Sequence, residues 1–169
     1  MGYVLEFRAG NIAQVETLLS DGVVPDEIED AGSAGLVANA IRAGEPALLR
    51  PDVSAYVVEV IQASSWWWGS IQHSSSGGPT FRGEITEELA ALFGRDFVVN
   101  LINRPLLELH TDDHPMIGWV RNEEIKFAYN RATTRGLPVA EDQTELTRTL
   151  IPILERAIEH DLDLWGLYI

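Results

Sequence analysis

The sequence predicts an α+β fold, with several helices packed on a small sheet that includes the N- and C-terminal strands. Three observations predict it. Near the start, Tyr3 to Arg8 reads Tyr-Val-Leu-Glu-Phe-Arg, an alternation suited to a half-buried strand. At the end, Leu164-Trp165-Gly166-Leu167-Tyr168-Ile169 is dense in β-formers and is expected to pair beside the opening strand. Between the two, apolar residues recur at helical spacing in segments bounded by capping residues. At 169 residues the chain is the size of one domain, and neither an internal repeat nor a long linker divides it.

The elements follow in order. Asn11 is placed to cap a helix carrying Ile12, Val15, Leu18 and Leu19, which Gly22 closes. After an acidic connector from Pro25 to Asp30, Ser33 to Ala43 forms a second helix with Leu36, Val37, Ala40 and Ile41 inward, ended by Gly44. Pro51 opens a third, in which Val53, Tyr56, Val57, Val60 and Ile61 make a core-facing stripe. It runs into Trp66-Trp67-Trp68-Gly69 and then into a loop, His73 to Pro79, too rich in Ser, Gly and Pro to hold regular structure. Thr86 caps a fourth helix with Leu89, Leu92 and Phe93 inward, and Phe97 to Ile102 is apolar but ambiguous between helix and strand. Met116 to Val120 is a strand. Asn122 then caps a helix bearing Ile125, Ala128, Tyr129 and Ala132, which Gly136 ends. The last helix carries Leu146, Leu150, Ile153, Leu154, Ala157 and Ile158, with Pro152 inside it predicting a kink or a late start.

The order of these features resembles the YfbM-like family of small bacterial proteins. The matching pieces are the Met1-Gly2 opening with its helix ending in Leu18-Leu19, the central helix running into Trp66-Trp67-Trp68-Gly69, and the run Met116-Ile117-Gly118-Trp119-Val120-Arg121-Asn122-Glu123-Glu124-Ile125. The closing Leu164-Trp165-Gly166-Leu167-Tyr168 completes the likeness, which spans most of the chain; where the Trp triplet stands, a His- and Leu-containing segment is expected. The resemblance implies a single-domain α+β fold and brings no catalytic residue with it.

Composition narrows the function classes. With no cysteine, disulfides, thiolate catalysis and Cys-based metal sites are excluded. The formal net charge is −14, so nucleic acid and anionic membranes are poor partners and a basic protein is a better one. Lys126 is the only lysine, so a mobile P-loop or Schiff-base lysine is nearly ruled out. The opening residues lack a basic region followed by an apolar run, and no stretch is long enough to span a bilayer, so a cytoplasmic location is expected.

Two constellations remain. In an extended chain His110, Asp112 and His114 project to one side, and two imidazoles with a carboxylate suit acid–base work or an open metal site. Neighbouring carboxylates oppose the metal reading by favouring protonated histidine, and no Gly-x-Ser-x-Gly elbow positions Ser74, Ser75 or Ser76 as a nucleophile. No metal and no cofactor is assigned. The second constellation is Trp66, Trp67 and Trp68 beside His73; three consecutive indoles cannot all face a core, and exposed tryptophan is enriched at binding hot spots. The leading expectation is therefore a non-catalytic binding protein, of an immunity or operon-accessory kind, that meets a basic protein through this aromatic segment. The alternative is a small enzyme acting on a small organic ligand in a pocket between the Trp segment and His110, Asp112 and His114.

Overall fold

The computed structural model describes residues 2–26, 28, 31–44, 47–74, 81–111 and 115–169. The elements are β1 (Gly2–Gly10), α1 (Ile12–Asp21), α2 (Ala31–Ala43), β2 (Ala47–Leu48), α3 (Pro51–Ala63) and β3 (Trp66–Ser74). They continue as α4 (Phe81–Phe93), α5 (Arg95–Ile102), β4 (Leu109–His110), β5 (Met116–Val120), α6 (Asn122–Arg135), α7 (Glu145–His160) and β6 (Asp163–Tyr168). Four strands form an antiparallel sheet in the order β3-β1-β6-β5, so the first and last strands make its centre, as the sequence predicts. β2 and β4 form a separate two-residue parallel pair.

Side-chain alternation explains why both faces of this sheet are covered. One face presents Leu5, Phe7, Ile71, Met116, Val120, Leu164 and Tyr168 to α4, α5, α6 and α7. The other presents Ile117, Trp119, Trp165 and Leu167 to α1, α2 and α3. The strands β5 and β6 are consequently buried almost throughout.

Two glycines set the depth at which α5 sits. Gly118 and Gly166 face each other across β5 and β6, and a Cβ on either would lie 2.2 or 2.0 Å from the Leu101 carbonyl oxygen. The backbone of the helix rests directly on the sheet there, which only a missing side chain permits.

Several local expectations are met and several are corrected. The Asn11 side chain accepts from the Gln14 amide, and Gly22 closes α1 in the left-handed region. Leu36, expected inward, is exposed, while Ala34, Val37 and Ala38 fill that side of α2. Thr86 does not cap α4, because the helix already begins at Phe81. The ambiguous run at Phe97 to Ile102 is helical. Asn122 is not a cap either: Arg121 holds that position, and the Asn122 amide is buried, donating to the Ala157 and Leu162 carbonyls. Pro152 neither delays nor ends α7, which starts at Glu145 under a Thr144 cap; the proline faces solvent, so the carbonyl it leaves without a partner is on the wet side.

Candidate functional site

The Trp segment, to which the sequence assigns no regular element, is a strand. The turn out of α3 is braced by Arg8, whose guanidinium donates to the Gln62 carbonyl at 3.0 Å, to the Ser65 hydroxyl at 3.1 Å and to the Ser65 carbonyl at 3.2 Å. Glu6 lies beside it at 3.4 Å and also accepts from Gln62. Chain leaving that brace is delivered alongside β1, and the pairing runs from Gly2 opposite Ser74 to Ala9 opposite Trp66.

The pairing slips by one residue between Phe7 and Arg8. Phe7 stands opposite Gly69 and Arg8 opposite Trp67, which leaves Trp68 as the extra residue of a β-bulge. Trp68 is thereby turned onto α7. Its ring has the Arg156 guanidinium 4.7 Å from its centre and the His160 ring at 6.4 Å, and it packs against the core beneath. Gly69, next along, leaves room for Ile153, whose Cδ1 would lie 3.2 Å from an added Cβ. One indole of three is therefore anchored, while Trp66 and Trp67 are 63% and 57% exposed.

β3 is also an edge strand. Among the described residues only β1 pairs with it, so alternate amides and carbonyls along its nine residues face outward. The sequence of the strand, Trp-Trp-Trp-Gly-Ser-Ile-Gln-His-Ser, holds no Lys, Arg, Asp, Glu or Pro, the residues that usually discourage strand addition at an edge. His73 lies in this strand opposite Tyr3, so the loop expected over His73 to Pro79 does not begin there, and residues 75–80 lie outside those described.

Of the residues of the acid–base alternative, only His110 is among those described. His110 is half-buried in β4, where its carbonyl accepts from the Leu49 amide at 2.9 Å. Asp112 and His114 lie outside the described residues, and among those described no group of three His, Asp or Glu gathers as metal ligands. The segment carrying His110 runs beside β5, since the Thr111 hydroxyl accepts from the Ile117 amide at 3.3 Å. Trp66 to Trp68 lie on the β3 edge of the four-stranded sheet, whereas His110 lies in the separate β2-β4 pair beside β5, so the two are not brought together.

Arg104 and Arg121, far apart in sequence, do converge. The Arg104 guanidinium stacks 3.7 Å from the centre of the Trp119 ring and donates to both oxygens of Glu124, at 3.0 and 2.8 Å; Arg121 lies 5.8 Å from the same ring. This group clamps β5 and α6 together. Tyr129 on α6 has its phenol pushed up to about 12 by burial and by its hydrogen bond to Glu155 on α7, so it stays a neutral donor tying two helices. No helix is long and apolar enough to cross a membrane among the described residues. Comparison with protein-family models, with curated proteins and with solved structures finds no match to this chain.

Proposed function

We propose that this protein is a non-catalytic binding protein that captures an extended, basic segment of a partner protein by adding it as a fifth strand beside β3. One observation carries the reading: a nine-residue uncharged edge strand whose outward polar groups are unpaired among the described residues, with two tryptophans more than half exposed at one end. Strand addition supplies affinity through main-chain hydrogen bonds, and side-chain contacts supply selectivity. Trp66 and Trp67 stand opposite Ala9 and Arg8, so alternation directs them to opposite faces of the ribbon, where they would grip an added strand from both sides. The chain's net charge of −14 favours a cationic segment and speeds its approach. A cytoplasmic setting, with an immunity or operon-accessory role, suits such a protein; the likeness to YfbM-like proteins adds no activity to it.

The test is a displayed library of extended peptides selected against the immobilised protein. The expected winners are Lys- and Arg-bearing, and the Trp66→Ala, Trp67→Ala double variant loses them by about thirtyfold or more. Leu36→Ala, an exposed apolar change on α2, leaves them bound. Winners that hold the double variant as tightly as the parent protein contradict the reading.

A further inference from the structure

A second candidate site lies on the face of the sheet that carries α4 to α7. Between the start of α5 and the outer side of α6 there is a hollow of about 320 Å³, at the small end of ordinary ligand pockets. Phe93 and Phe97, buried and inclined to one another at 6.0 Å, floor it, and Phe127 flanks it while 73% exposed. A large aromatic left in water beside an apolar hollow is a ready wall for an apolar group.

Exposed side chains of both signs rim the hollow. Arg95 and Arg131 line it, and so do Asp96 and Glu123, yet among the described residues none of the four is ion-paired. Glu124, also at the wall, is already committed to Arg104 and to the Arg121 amide. The Arg131 guanidinium lies over Gly94, where an added Cβ would come within 2.9 Å of Nη1, so the glycine makes room for it at the head of α5. Gly94 gives that helix no side-chain cap. Two cations and two anions around one apolar hollow suit a ligand that bears both signs.

We propose that this hollow binds a free amino acid with a large apolar side chain. Its carboxylate is met by Arg131 and the first-turn amides of α5, its ammonium by Glu123 and Asp96, and its side chain rests on Phe93, Phe97 and Phe127. A simple anion would leave the two carboxylates facing it unanswered, and a simple cation would do the same to the guanidiniums.

The experiment is a titration of the full ¹⁵N-labelled chain with L-phenylalanine, followed by amide shifts, with glycine, phenylacetate and phenethylamine in parallel. L-Phenylalanine is expected to move the Arg95, Asp96 and Phe97 amides saturably. Each of the other three lacks one anchoring group and is expected to bind about tenfold more weakly or less. Arg131→Gln should weaken L-phenylalanine by a similar factor and leave phenethylamine unchanged, and a well-dispersed spectrum of that variant confirms its fold. No saturable shift with L-phenylalanine, phenylacetate binding as tightly as L-phenylalanine, or indifference to Arg131→Gln would each overturn the proposal. None of these outcomes bears on the β3 edge, which lies on a different element.

Discussion

The two edges of one sheet are finished in opposite ways. At β5, the Ile117 amide gives its hydrogen to Thr111, the Ile117 carbonyl accepts from the Arg104 amide at 3.0 Å, and the Trp119 carbonyl faces the Arg104 guanidinium at 3.4 Å. The Trp119 indole donates to the Pro105 carbonyl at 3.1 Å, and every residue of the strand is buried. At β3, nothing described pairs with the outer edge, and the two largest side chains at its end are in water. Irregular chain and an arginine close the β5 edge, while among the described residues the β3 edge is left without a partner. The difference teaches where association is to be sought.

Glycine substitutions should expose this difference most strongly. Gly118→Ala on β5 drives a methyl into the Leu101 carbonyl, and backbone has nowhere to go; a loss of about 3 kcal/mol in denaturant unfolding is expected. Gly69→Ala on β3 meets only the tip of the Ile153 side chain at 3.2 Å, which can swing aside, so about 1 kcal/mol or less is expected. Equal losses at the two sites would erase the contrast.

Arg104→Met comes next. It removes a part-buried pair with Glu124 and the cation over Trp119, for an expected cost of about 1–2 kcal/mol and a red-shifted Trp119 emission. An unchanged midpoint would mean that the arginine decorates the β5 edge without fastening it.

A smaller effect of opposite sign is expected in the tight turn that carries the chain along β5. Leu106 and Leu109 exchange backbone hydrogen bonds across Leu107 and Glu108, whose φ angles are +52° and +61°. Neither residue favours the left-handed region, so Glu108→Gly should stabilise by about 0.5–1 kcal/mol in the same unfolding assay. Destabilisation instead would show that the Glu108 side chain holds the turn. Smallest of all is the effect of Trp66→Ala with Trp67→Ala on folding, within about 0.5 kcal/mol because both rings are largely in solvent.

The sequence carried β1, β5 and β6 plainly and the β3 edge poorly. β1 and β6 alternate or run in β-formers, and Asn11 and Gly22 cap as such residues do, because these signals act over a few neighbours. β3 was hidden since its bulge at Trp68 breaks the two-residue period, and the Ser-, Gly- and Pro-rich run from His73 reads as loop into the end of the strand. Thr86 and Asn122 look like caps by type, yet one helix already begins at Phe81 and the other starts where the Glu124 carboxylate accepts from the Arg121 amide. The convergence of Arg104 and Arg121 on Trp119 depends on how β5 meets α5 and α6, which no local pattern encodes. That one tryptophan of the triplet is anchored and two are free follows from the same bulge, beyond the reach of alternation alone.

Native-state hydrogen exchange, amide by amide along the two edges, tests the central claim most directly. The account predicts that the β3 amides turned away from β1 exchange rapidly in the free protein, that the Ile117 amide of β5 is protected to near the global unfolding limit, and that a selected basic peptide protects only the β3 set. Free-protein protection along the outer side of β3, or rapid exchange at Ile117, would contradict it.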